Sequence, residues 1–267
     1  MGDDGIYSYS FENKDQEDEI QLREAVSLQV FDDYLLELSK HHSIPVMDKE
    51  VKIFLKGIPK NGAIIDVGGC LGWHWRDLHK LRPDLNVYIV DFIRSNLVHA
   101  KNVLNDSIGV NIFLIHGDAT NLFFDDGAFD GYWSVQTLQH IPNFESAIKE
   151  AHRILKNNGI FVNYSLNKQW FIKLIYRLLG KNYHEVGNIP GNFYLARASD
   201  IQLEIVKKYF GKNVLRRYSE IFFTPEFKVR FPGKRASVIG FLDSYLSNFW
   251  GVFSSVARQQ SYHVRKD

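Results

Sequence analysis

The sequence predicts a doubly wound α/β domain built on a mostly parallel sheet, and three observations carry that prediction. From residue 63 onward, short β-branched runs alternate with helical stretches. The runs are continuously apolar over four to six residues, as in a sheet covered on both faces. The segment 144–155 is strongly amphipathic: Phe144, Ala147, Ile148, Ala151, Ile154 and Leu155 form one stripe. Asn143 is placed to cap that helix, and Asn158-Gly159 to end it.

Taken in order, residues 1 to about 20 are acidic and polar and read as a loosely docked arm, not a signal peptide. A helical pattern runs from Ile20 to about Lys56 on Leu22, Ala25, Val26, Val30, Tyr34 and Leu35. "HHSIPVMD" should interrupt it, because Pro45 disfavours helical geometry in its predecessor. The strands are "AIIDV", "NVYIVD", "NIFLIH", "FDGYWSV" and "IFVNYS", and the helices between them "WHWRDLHKLRP", "SNLVHAKNVLND" and "NFESAIKEAHRILKNNG". "KQWFIKLIYRLL" and "SDIQLEIVKKYFG" add two helices, the second capped by Ser199 or Asp200 and stopped by Gly211. "NVLRRYSEIFF" and "GVFSSVARQQ" read as closing strands able to pair antiparallel, with 225–249 inserted between them. The organisation is an N-terminal arm and helical cap over 1–56, a ligand-binding core over 57–165, and insertions with closing strands over 166–267.

Bulk composition narrows the function. The net charge of +1 offers no general field for nucleic acid, and the single cysteine fits a reducing, cytoplasmic setting. No Cys-x-x-Cys or His-Glu-x-x-His spacing marks a metal site, and no apolar run approaches the ~20 residues of a membrane span. Aromatic residues make up 14% of the chain, and many of them follow residue 160. Core packing accounts for them, and an apolar pocket or cover is the alternative.

The stretch "IIDVGGCLGWHW" over 64–75 sets the chemistry. An apolar strand stops on Asp66 and breaks into Gly68, Gly69 and Gly72. In an open parallel sheet, ligands sit beyond the carboxyl ends of the strands, and glycines let them approach the backbone. A dinucleotide fingerprint aligned from Gly68 would put its second and third glycines at Cys70 and Trp73, so it fails at two of three positions. The Gly-Lys-Ser/Thr of a nucleotide triphosphate loop is missing.

The spacing resembles the first motif of class I S-adenosylmethionine (SAM)-dependent methyltransferases, acid-x-Gly-x-Gly-x-Gly. It matches at Asp66, Gly68 and Gly72, with Cys70 at the middle glycine. Asp91 ends the next strand, 25 residues after Asp66; "HGDATNLFFDD" and "FDGYWSVQTLQHI" then follow in the family's order. Over about residues 60–165 the chain resembles the methyltransferase type 11 domain. That resemblance implies a seven-stranded Rossmann-like sheet with an N-terminal helical segment and insertions after strand 5 and between strands 6 and 7. It implies SAM as cofactor, with contacts at Asp66, Gly68, Gly69, Gly72, Asp91, Phe92, Asp118, Ala119 and Ser134. Asp91 would hold the ribose hydroxyls, since a carboxylate is acceptor-only and takes two O–H donors. Asp118 would accept from the adenine amino group.

For the transfer itself, His140 after the fourth strand is the general-base candidate, its ordinary pKa suiting neutral pH; packing against the next helix is the structural alternative. His74 is expected on a helix surface, and Cys70 as a small packing residue. Tyr183, His184, Tyr194 and Arg197 lie where the acceptor site is usually shaped. The helix over 168–179, with Lys168, Lys173, Arg177 and Lys181 around its apolar residues, reads as a lid, a packing helix or a membrane-surface contact. The leading expectation is methyl transfer to a small or medium organic acceptor that is apolar, sugar-like or lipid-linked. A SAM-binding protein without catalysis and a nicotinamide-dependent oxidoreductase are the alternatives. Nucleic acid is not an expected partner; peripheral membrane contact and oligomeric state are left open.

Overall fold

The computed structural model describes residues 5–9, 43–181, 195–222, 234–246 and 251–267, with isolated positions 17, 20, 21, 24, 36, 40 and 41. Its strands are β1 (Ile6–Ser8), β2 (Ala63–Val67), β3 (Asn86–Asp91), β4 (Ile112–His116), β5 (Phe129–Val135), β6 (Leu155–Leu166), β7 (Leu215–Ser219) and β8 (Gln259–Arg265). They form one sheet in the order β1-β4-β3-β2-β5-β6-β8-β7. Pairing is parallel from β1 through β6, while β8 runs antiparallel to both β6 and β7. The strand order reverses at β2, so β3 and β5 diverge from its carboxyl end and leave a crevice there.

The helices are α1 (Ser43–Lys56), α2 (Leu78–Leu81), α3 (Arg94–Leu104), α4 (Phe144–Ile154), α5 (Trp170–Leu178), α6 (Asp200–Phe210) and α7 (Lys234–Leu246). Successive strand residues alternate between faces. Ile64, Val87, Ile89 and Trp133 pack under α1 and α3 on one side. Ile65, Val67, Val90 and Tyr132 pack under α4 and α6 on the other. On α4, the Asn143 side chain accepts from Ser146 N, and on α6 the Ser199 side chain accepts from Gln202 N, both caps as expected. Buried Glu50 pins α1 to the sheet, accepting from Tyr164 Oη at 2.9 Å and from both terminal nitrogens of Arg217 at 3.0 and 3.1 Å.

Five expectations are corrected. The sheet has eight strands among the described residues, not seven. The extra one lies in the supposed arm: Ile6–Ser8 pairs with Leu114–His116 at the sheet edge, and Ile6 is fully buried. The break at "HHSIPVMD" is present, with Lys40 in a turn and His41 in a bridge, but Pro45 does not expel its predecessor from the helix: Ile44 and Pro45 both lie in the first turn of α1, where an N–H is not needed. The helix α4 stops at Ile154 and not at Asn158-Gly159, because buried Leu155 is already extended and paired with Phe129. "GVFSSVARQQ" contributes only its last two residues to β8; Gly251–Ser255 is a 3₁₀ turn. The Asn167 side chain donates to the carbonyls of Ser254 and Ala257, which bends that segment away from the sheet. The helical pattern at Leu22, Ala25, Val26, Val30, Tyr34 and Leu35 lies outside the described residues.

Candidate active site

The carboxyl ends of β2, β3, β4 and β5 are stitched together around the glycine loop. Gly68 N donates to Val90 O at 2.7 Å, Cys70 N to Asp91 Oδ2 at 2.9 Å, and Gly117 N to Asp91 O at 3.1 Å. Thr137 Oγ1 donates to Gly68 O at 3.2 Å. A β-carbon on Gly68 would overlap the Thr137 side chain, and its φ of 73° is left-handed. Cys70 also takes a left-handed φ, of 50°. The loop therefore keeps a glycine-like path where the middle glycine is replaced. Trp73–Trp75 continues it as a 3₁₀ turn entered from Gly72.

Asp91 is 6% exposed at the tip of β3. Its oxygens accept from Cys70 N, from Ile93 N at 2.8 Å and from Asn96 Nδ2 at 3.3 Å. A carboxylate has about four acceptor positions. Phe92 follows half-buried, its carbonyl hydrogen-bonded to His116 Nε2 at 3.1 Å. On β4's exit, Asp118 is half-buried and binds Thr120 through N and Oγ1, both at 2.8 Å, beside buried Ala119.

Two expected cofactor contacts have their side chains engaged within the protein. Asp66 is 1% exposed on the α1 and α3 side of the sheet, and accepts from Trp75 Nε1 at 2.6 Å beneath Gly69. Ser134 is fully buried, donating to Val67 O at 2.9 Å. Both side chains hold the strand tips in place. Burial, partly offset by the Trp75 bond and reinforced by the Asp91 charge, pushes the Asp66 carboxyl up to about 7. The folded protein thus holds a proton that the unfolded chain, near 3.8, releases. The resulting stability is complete below pH 4 and is lost as pH rises toward 7. Asp66→Asn should abolish that decline and leave the variant a few kcal/mol more stable than the parent at pH 8. Urea unfolding of both at pH 5 and pH 8 measures it; equal pH slopes would refute the assignment.

Tyr9 is a site residue that the sequence did not disclose. Its ring packs over Gly117, where any β-carbon would overlap it. Its hydroxyl accepts from Asp118 N at 3.0 Å and reaches the carbonyls of Asn121 at 3.0 Å and Asp118 at 3.2 Å. Burial, the largest cause, pushes the phenol up to about 12, so it remains a donor. Tyr9→Phe removes the anchor of the 117–121 turn at a cost of about 1 kcal/mol. S-adenosylhomocysteine affinity should then fall roughly fivefold; unchanged affinity in calorimetry would show that the turn holds itself.

On the acceptor side, His140 closes the 3₁₀ turn Leu138–His140 after β5, half-buried, with Nε2 3.2 Å from Gln139 Nε2. Gln139 ties this turn to the end of β6 and to segment 195–199: its Oε1 accepts from Leu166 N and its backbone carbonyl from Ala196 N. Arg197 joins the group by donating to Asn167 O at 2.8 Å. Tyr183, His184 and Tyr194 lie outside the described residues. His74 is not a surface histidine. It sits edge-on to Trp133 at 5.9 Å, its Nδ1 is buried without a hydrogen-bond partner, and burial with the Arg76 charge lowers its pKa to about 4.

Residues 65–163 match the family model described as a methyltransferase domain. Over that stretch the chain is similar to a methyltransferase domain. A demethylmenaquinone methyltransferase of Staphylococcus epidermidis is 50% identical over 52 residues, covering 20% of this chain and 22% of that protein. This chain therefore spans about a fifth of that relative's length. A SAM-dependent methyltransferase of Thermotoga maritima shares the fold at a TM-score of 0.58 and 17% identity, over 94% of this chain and 99% of the other. The cyclase SpnF shares it at a TM-score of 0.56 and 16% identity, over 82% of this chain and 80% of the other. Likeness at these identities is likeness of fold, and the domain supports more than one chemistry.

The donor set in the methyltransferase domain fits SAM. The loop leaves no room for β-carbons at Gly68 and Gly69, and acceptor carboxylates of the kind a nucleoside's O–H and N–H donors require stand at the tip of β3 and just beyond β4.

Proposed function

We propose that the chain is a SAM-dependent methyltransferase acting on a small or medium organic acceptor, apolar and lipid-linked in character. The observation that carries the reading is Asp91. A buried carboxylate at the switch point is tied directly to the glycine loop through Cys70 N. Bound there, SAM supplies an already activated methyl group. The chain's own work is alignment and exclusion of water, which contribute several kcal/mol. Asp91 and Asp118 would fix the nucleoside, with Phe92 and Ala119 flanking it and Gly68, Gly69 and Gly72 admitting it to the backbone. His140 would take the proton from a hydroxyl or acidic-carbon acceptor once its Nε2, which accepts from the Gln139 amide in this structure, is released to face the acceptor.

The apolar, lipid-linked acceptor is supported by the name of the Staphylococcus epidermidis relative, a demethylmenaquinone methyltransferase. Net charge near zero weighs against a nucleic-acid substrate, and a single cysteine supports a cytoplasmic setting. No described helix is long and apolar enough to cross a membrane. The test is incubation with methyl-labelled SAM and a panel of demethylated quinones, phenols and a lipid extract. Label in an organic-soluble product is expected. His140→Asn should retain S-adenosylhomocysteine affinity and lose roughly 10²- to 10⁴-fold in kcat. Cofactor binding with no transfer to any acceptor would favour a non-catalytic SAM-binding protein.

A further inference from the structure

We infer that α5 is a membrane-docking helix that seats the protein on an anionic bilayer surface, with the mouth of the crevice beside the lipid. At 100° per residue, Trp170, Leu174, Leu178, Phe171, Ile175 and Leu179 fill a continuous arc of about 180°. All six are exposed, Trp170 at 60%, Leu178 at 77% and Leu179 at 63%. Tyr176, on the opposite side, is the buried residue of the helix. A surface helix of a globular protein ordinarily turns its apolar stripe inward; this one turns it to solvent. Contiguous exposure on that scale marks an interaction surface.

The helix is held in this orientation by polar contacts at its start. Gln169, buried, donates from Nε2 to Val256 O at 2.8 Å, and Asn167 is engaged by the 251–257 segment and by Arg197. The arc is thus presented by a fixed element. Its placement also matters. β6 runs parallel to β5, so α5 leaves the sheet at the same end as the glycine loop, next to the turn that carries Gln139 and His140.

Charge selects the occupant. Lys168, Lys173, Arg177 and Lys181 accompany the apolar arc, and no acidic residue occurs from 151 to 184. An apolar face accompanied along its own helix by cations and no acid complements a layer of acyl chains under anionic headgroups. A second copy docking through the same arc would bring these cations against one another. The docking stands whether or not the acceptor is a lipid; if it is, the helix places the crevice where such a molecule could enter without crossing water.

The full chain is sedimented with vesicles of phosphatidylcholine alone or with a third phosphatidylglycerol, alongside Leu174→Ser/Leu178→Ser and Lys173→Glu/Arg177→Glu. Leu174, Arg177 and Leu178 are exposed and Lys173 half-buried, and thermal unfolding of each variant checks that it folds. The parent should bind the anionic vesicles, lose most binding at high salt, and bind neutral vesicles weakly. Both variants should bind roughly tenfold more weakly or less, with Tm unchanged. Absence of vesicle binding by the parent, or binding unaffected in both variants, overturns the inference. So does light scattering that finds a parent dimer dissociated by the serine pair, since the arc would then belong to a second copy.

Discussion

Gly68→Val is expected to lose S-adenosylhomocysteine binding and to unfold several degrees below the parent protein. Two costs add at this position. The φ of 73° is left-handed, which costs a β-branched residue about 1–3 kcal/mol on backbone grounds alone. The new β-carbon also falls on the Thr137 side chain, including its own β-carbon, so rotation of a hydroxyl cannot relieve the overlap. The backbone must move instead, and the Gly68–Val90 and Thr137–Gly68 bonds that join β2, β3 and the turn after β5 go with it. Thermal unfolding and calorimetry on the purified variant measure both effects. A variant with the parent's Tm and affinity would mean that the loop is not built as described. Gly68→Ala should show the same pattern in weaker form.

The second large effect belongs to Asp91. Asp91→Ala should weaken S-adenosylhomocysteine binding by roughly 10²-fold, the equivalent of about 3 kcal/mol of charge-assisted hydrogen bonding. The loss has two parts. The nucleoside would lose its acceptor for the ribose hydroxyls, and Cys70 N and Ile93 N would lose the carboxylate that holds the loop against β3. Asp91→Asn separates them, because an amide oxygen can still accept from Cys70 N but cannot match a carboxylate toward two hydroxyls. The alanine variant should therefore lose affinity and both loop bonds, and the asparagine variant affinity and only one of the two, because its Nδ2 cannot accept from Ile93 N. Equal affinity in parent and Asp91→Ala would remove Asp91 from the cofactor site.

The parallel core was legible because burial on both faces forces continuous apolar runs, and "AIIDV", "NVYIVD" and "FDGYWSV" appear as β2, β3 and β5 at those positions. The polar residues at strand tips were legible for the opposite reason: Asp91 interrupts an apolar pattern that packing alone would continue. What the pattern could not reveal was direction. Asp66 and Ser134 sit at equally suggestive strand ends, yet one side chain is taken by Trp75 and the other by the Val67 carbonyl. Three residues carry no usable periodicity, so Ile6–Ser8 was hidden; its partner, β4, begins more than a hundred residues later. Tyr9 was hidden with it. Thr137, which sets how closely the loop must pass, carries no signal until β5 and β2 are seen as neighbours. The 168–179 segment declared its amphipathicity, but only the structure shows that its apolar side faces outward.

The central claim is that the crevice over β2, β3 and β4 is a SAM site. Calorimetric titration of the unmodified protein with S-adenosylhomocysteine, and separately with NAD⁺, addresses it without any assumption about the acceptor. One-to-one binding of S-adenosylhomocysteine near the micromolar range, about −8 kcal/mol, with no heat from NAD⁺, is the result this account predicts. NAD⁺ binding with no S-adenosylhomocysteine binding would contradict it.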